Sequence, residues 1–148
     1  METEQKLAIL QNTYAAALAE TVNTYAKLGA LDGVVSAKAA RQDQTAAAML
    51  AMFAIREPGE VFTALAGVFG CANWQVRGTD TGLVATASAC KLCALSKRMG
   101  GANPCRGWCL DPMAAMVKKL DEHACFTAKR TLMDGDACEV EVTLSQRG

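Results

Sequence analysis

The spacing of apolar residues changes once, near Ala72, and that change limits the folds open to this chain. Before it, Leu7, Leu10, Tyr14, Leu18, Val22, Tyr25 and Leu28 recur at intervals of three or four, which marks one face of a helix roughly four turns or longer. Gly29 is a stop signal. A second helix is expected over Gly33 to Ile55, where alanine supplies propensity and Val34, Val35, Met49, Leu50, Met52 and Phe53 supply apolar surface. Pro58 suits the first turn of a third helix, because its missing N–H would be unpaired there, and Gly70 closes it.

After Ala72 the apolar residues alternate. Trp74 and Val76, then Leu83, Val84 and Thr86, flank the turn-forming residues 78 to 82, which predicts a hairpin. A second hairpin is expected from Phe126 to Leu132 and Ala137 to Leu144, joined at residues 133 to 136. Between them lie a short helix over Lys91 to Met99, a loop over Gly100 to Pro104, and a helix opened by Asp111 as cap with Pro112 at its first position. The expected fold is α+β: N-terminal helices packed with an antiparallel sheet of about four strands in two hairpins, and short covering helices. A chain of 148 residues buries roughly two thirds of its unfolded surface. One domain over residues 1–148 is expected, with a helical half (1–70) and a cysteine-rich half (71–148).

Fifteen basic and fifteen acidic side chains cancel, so no overall field gathers a polyanion, and nucleic-acid binding is not expected. The longest apolar run, Thr45 to Ile55, is about half of what crosses a bilayer, so no membrane partner is expected either. A small uncharged or zwitterionic ligand fits better. Seven cysteines, an odd number, with no basic and apolar leader at the N-terminus, favour thiols, a metal site or redox chemistry over a disulfide framework, and the cytoplasm as compartment. The face from Leu7 to Leu28 is near-heptad and could pair with a second copy, giving a homodimer through the N-terminal helices.

Cys90 and Cys93 form a Cys-x-x-Cys pair, and Cys105 and Cys109 form a Cys-x-x-x-Cys pair after eleven intervening residues. Two arms of two thiolates, joined by a loop with Gly100, Gly101 and Pro104, can close on zinc or an iron–sulfur cluster, since both accept four sulfur ligands. The same residues can instead be buried small hydrophobes or a catalytic or redox thiol. Asp111 follows Cys109 by two residues and either caps a helix or orients a water beside the thiols. His123, the one histidine, is the only imidazole available as a base, and is otherwise a solvated residue between a helix and a strand. Lys129 and Arg130 should differ in facing, leaving one to hold a carboxylate or both at the surface. Trp74 and Trp108 could floor a pocket. Cys71 and Cys125 have no partner by spacing and read as packing residues, while Cys138 opens the last strand, where it can face the core. No Gly-x-Gly-x-x-Gly, phosphate-binding Lys-Ser or Lys-Thr loop, or Gly-x-Ser-x-Gly elbow occurs.

Cys90, the Cys105 and Cys109 pair, Asp111, and the closing residues 128 to 142, with Arg130, Thr131 and Leu132 followed by Gly135, Asp136 and Cys138, resemble the L-2-amino-thiazoline-4-carboxylic acid hydrolase-like family. The resemblance covers roughly Phe69 to Leu144. It implies a hydrolase acting on a non-peptide C–N bond: water adds to the C=N carbon of a cyclic thiazoline amino acid, and the ring opens. In that scheme Cys109, Asp111 and His123 are catalytic, Arg130 and Trp108 bind substrate, and Cys90, Cys93, Cys105 and Cys109 are available to a metal that would lower the pKa of a water. The ending is also similar to 4-vinyl reductase-like domains, which are small-molecule- or metal-binding modules of α+β fold. Arg130 stands about where a further cysteine of that pattern would be.

Overall fold

A computed structural model of the chain describes residues 1–146. Five α-helices and four strands follow in the order α1 (Thr3–Lys27), α2 (Leu31–Met52), α3 (Pro58–Phe69), β1 (Gln75–Gly78), β2 (Gly82–Ala87), α4 (Lys91–Met99), α5 (Asp111–Leu120), β3 (Cys125–Arg130) and β4 (Cys138–Thr143). A π-helical turn, Arg106–Leu110, leads directly into α5. The fold is α+β. Among the described residues no helix is long and apolar enough to cross a membrane.

Both expected hairpins form, and pairing of β2 with β4 joins them into one antiparallel sheet of order β1-β2-β4-β3. Strand side chains alternate between faces, so the central strands bury every second residue. Leu83 opposes Val142, Ala85 opposes Val140 and Ala87 opposes Cys138, and all six are buried on one face. Gly82 begins β2 where the chain passes close to β4: a Cβ there would lie 1.9 Å from the Val142 carbonyl oxygen. Backbone cannot move aside as a side-chain tip can, so Gly82→Ala is expected to cost at or above the upper end of the roughly 1–3 kcal/mol typical of overpacking. Urea unfolding measures this, and a loss under about 0.5 kcal/mol would show that β2 and β4 can separate there without penalty.

Helices α3 and α5 cover the buried face, α2 packs on α5, and α1 packs on α4. Phe62 of α3 is fully buried, edge-on to Trp74 at 5.2 Å and stacked on Phe126 of β3 at 6.0 Å. One cluster of buried side chains joins the halves, from Ala46 and Leu50 through Val61 and Phe62 to Met113, Val117 and Val140.

Three expectations for the helices are corrected. In α1 the buried residues are Ala15, Ala19 and Val22, whereas Leu10 and Leu28 are 67% and 73% exposed. Helix α1 packs on α4 through this stripe of small side chains, and Leu10 and Leu28 fall outside it. Asn23 secures the contact: its Nδ2 donates to Ser96 Oγ at 3.0 Å, and its Oδ1 accepts from Ala102 N at 3.0 Å. Helix α2 ends at Met52 rather than Ile55, because Ala54 takes a φ of +55° and turns Ile55 into the core. Asp111 is not a cap. Its φ of −63° and ψ of −44° are helical, and no side-chain cap bond starts α5, because the π turn has already begun the helix.

A bulge between Ala128 and Arg130 shifts the register of β3. The consecutive residues Lys129 and Arg130 therefore share the outer face instead of differing in facing. Lys129 Nζ lies 3.6 Å from Glu141, and Arg130 lies 3.5 Å from Asp136 and 3.6 Å from Glu139.

Candidate functional site

The site begins with Pro112, which has no N–H to donate. The Asp111 N–H donates to Arg106 O, five residues back, and in that register the acceptor left over by Pro112 is Gly107 O. Gln42 of α2 supplies the missing donor, its Nε2 lying 2.9 Å from Gly107 O. Gly107 makes the approach feasible, since a Cβ there would already be 3.1 Å from Val35 Cγ2. With its amide nitrogen so committed, Gln42 leaves Oε1 buried without a partner.

Between α2, α3 and the α4–π–α5 segment lies a cavity of about 270 Å³. Its walls are mainly carbon and sulfur, and six of the seven cysteines line it: Cys71, Cys90, Cys93, Cys105, Cys109 and Cys138. The volume falls between a benzene-sized cavity of roughly 150 Å³ and the lower bound of about 300 Å³ for drug-sized pockets. Lys38, Gln42 and Trp108 also line it, and the Lys38 ammonium rests 5.0 Å above the Trp108 ring centre. A second, more open hollow shares Cys71, Cys90 and Cys93 with the cavity wall; Cys71 and Cys90 are half-buried and Cys93 is buried.

The sulfurs differ sharply in character. Cys90 caps the N-terminus of α4, with an extended backbone held by a bridge to Ala72, and its sulfur accepts from the Cys93 N–H at 3.5 Å. The Cys93 thiol, aided by the Cys93 and Leu92 amides and opposed by burial, lowers Cys90 from 9.0 to about 6. Cys93 itself is pushed far up, first by its bond to Cys105, whose sulfur is 3.7 Å away. Cys105 is drawn down by Cys93 and by the Thr131 hydroxyl. The single Cys93 proton serves one acceptor at a time, and Cys90 keeps two backbone donors besides. Burial, followed by the charge of Cys90, raises Cys71 to about 11. Burial also raises Cys109 and Cys138. Cys90 is thus the cavity's best-supported thiolate at neutral pH.

The expected site residues divide. Cys90, Cys93, Cys105, Cys109 and Trp108 come together at the cavity. Asp111, His123 and Arg130 do not line it. Asp111 pairs loosely with Arg106 at 3.9 Å, and its Oδ2 is buried without a partner; burial raises its carboxyl pKa, with Arg106 lowering it in part. His123 is exposed, 3.3 Å from Glu122, and Arg130 is in its outer-face ion pairs. The catalytic set Cys109, Asp111 and His123 is therefore not a unit: a raised thiol, a carboxyl outside the cavity and a solvated imidazole. Among the described residues no three His, Cys, Asp or Glu side chains stand where one metal ion could be held. Of the four thiols expected to cage zinc or a cluster, Cys93 and Cys105 place their sulfurs 3.7 Å apart, and Cys90 and Cys109 line the same cavity. Cys71, Lys38 and Gln42 carry no such signal in the sequence: α2 brings in Lys38 and Gln42, the segment after α3 brings in Cys71, and none shares a spacing with the cysteine pairs.

No protein-family model matches the chain, and no curated protein or solved structure matches it.

Proposed function

We propose that the cavity takes a compact cyclic electrophile of the thiazoline type and that Cys90 attacks it. The observation that carries this is the placement of Cys90: a helix-capping thiol facing a largely apolar cavity that holds one cation, Lys38. Lys38 takes the role of carboxylate anchor first given to Arg130, and the Trp108 ring offers a flat apolar wall.

In the reaction a bond forms from Cys90 Sγ to the ring carbon between nitrogen and sulfur, and the ring sulfur leaves as thiolate. A water then adds to the same carbon and Cys90 departs as thiolate. The two protons of the water end on the ring sulfur and on the former imine nitrogen, so the net change is hydrolytic ring opening. One feature favours a second reading, binding without turnover: no carboxylate or imidazole lines the cavity to activate that water.

Acid-quenched mass spectrometry of the protein mixed with 2-aminothiazoline-4-carboxylate separates these readings. Ring opening that exceeds the protein concentration marks an enzyme; a stable adduct at Cys90, or ligand bound unchanged, marks a binding module. Lys38→Met keeps an apolar stem over Trp108 while removing the charge, and is expected to weaken binding roughly tenfold, a loss of about 1.4 kcal/mol. Equal binding by Lys38→Met, or adducts at Cys125 in place of Cys90, would discard the site as drawn.

A further inference from the structure

We infer that Cys90, Cys93 and Cys105 form a thiol–disulfide relay that takes a disulfide bond from a low-molecular-weight donor at the outer hollow and carries it inward to the Cys93–Cys105 pair. Position orders the three sulfurs. Cys90 and Cys93 line both the outer hollow and the cavity, whereas Cys105 lines the cavity alone. Cys93 stands one helical turn after Cys90, with its backbone N–H on the Cys90 sulfur, and its own sulfur is 3.7 Å from that of Cys105. A disulfide needs about 2.05 Å, so closing the inner pair requires a modest approach of two side chains on either side of the Gly100 and Gly101 loop. Lys91 and Lys97 border the outer hollow and, among the described residues, their ammonium groups bond the Asn12 amide oxygen and the Leu132 carbonyl rather than a carboxylate, which suits a donor that carries carboxylates.

Three exchanges complete the relay. The Cys90 thiolate attacks the donor RS–SR, forming a Cys90–SR bond and releasing RS⁻. Cys93 gives up its proton and attacks the Cys90 sulfur, forming Cys90–Cys93 and releasing the second RS⁻. Cys105 then loses its proton and attacks Cys93, forming Cys93–Cys105 and releasing Cys90 as thiolate. Two protein thiols are oxidised, one donor disulfide is reduced to two RSH, and the two protons lost by the protein pass to RS⁻. The direction follows from Cys90: backbone donors at the positive end of α4 stabilise its thiolate, which makes it a good leaving group and a poor final holder of the disulfide.

The relay shares Cys90 with the ring-opening proposal but needs no cavity ligand, so one can fail while the other stands. Fully reduced full-length protein is mixed with glutathione disulfide, acid-quenched and mapped by peptide mass spectrometry. Wild type is expected to accumulate Cys93–Cys105 with no retained glutathione. Cys93→Ser should stop at a glutathione adduct on Cys90, and Cys105→Ser at Cys90–Cys93; circular dichroism confirms that each variant is folded. A wild-type protein left with glutathione on Cys90, or a first adduct on Cys125 or Cys71 in Cys93→Ser, would overturn the relay. In the first of those outcomes Cys90 remains a nucleophile, so the ring-opening proposal is untouched.

Discussion

Reduced protein treated with a dipyridyl disulfide is expected to show one fast thiol whose rate rises with a midpoint near pH 6, and Cys90→Ala should remove that phase. The size of the effect follows from two opposing terms. At pH 6 a thiol with the lowered value of about 6 is half ionised, whereas one at the ordinary 9.0 is ionised to about one part in a thousand, a gain of roughly 500-fold in thiolate. Nucleophilicity falls with pKa at a slope of about 0.4–0.5, which removes roughly 20-fold over three units and leaves a net advantage of about 20-fold. The advantage shrinks to a few-fold at neutral pH, so the experiment belongs in mild acid. A fast phase that survives in Cys90→Ala, or a midpoint above pH 8, would show that the Cys93 thiol and the amides at the start of α4 do not hold the thiolate.

The same groups set the sign of stability against pH. Cys90 is lowered on folding, so its contribution is complete above about pH 9 and is lost as pH falls through about 6. Cys71 is raised to about 11, so its contribution is complete below about pH 9 and is lost as pH rises through 11. Cys90→Ala should therefore reduce the slope between pH 6 and 9 and keep an alkaline limb, shortened by the part of the Cys71 shift that the Cys90 charge supplies.

Phe62→Ala is expected to destabilise the fold by about 3–5 kcal/mol, much of the roughly 5–15 kcal/mol that holds a domain of this size together. The ring is fully buried and touches Trp74 and Phe126, so it joins α3 to the segment entering β1 at one edge of the sheet and to β3 at the other. Its loss leaves a cavity bounded by rigid sheet on one side, which collapses poorly. Equilibrium urea unfolding gives the value from the shift in midpoint at constant slope. A cost below about 1 kcal/mol would mean that the neighbouring rings close the gap and that Phe62 is not the joint between the layers.

The α3 boundaries, from Pro58 to Phe69 with Gly70 after it, were legible because both signals are local: a proline that needs no N–H and a glycine free to turn left. The hairpins were legible for a similar reason, since turn residues and two-residue alternation act over a few positions. The buried face of α1 was not. Leucine spacing identifies an amphipathic helix, but which stripe is covered depends on where α4 lies, and α4 meets alanines. The Asp-Pro pair is a strong local signal for a helix start at Asp111, and the π turn that overrides it is bonded to Gln42, some seventy residues earlier.

From residue order alone came the α+β class, the helical and cysteine-rich halves, and the nomination of Cys90, Cys93, Cys105, Cys109 and Trp108, because helix signals, turn chemistry and thiol spacing are properties of short segments. Only the tertiary structure decided which thiol is drawn down, that Lys38 and Gln42 line the same cavity, and that Asp111, His123 and Arg130 stand apart. Ionisation depends on burial and on donors arriving from other elements, and those distances exist only once the chain has folded.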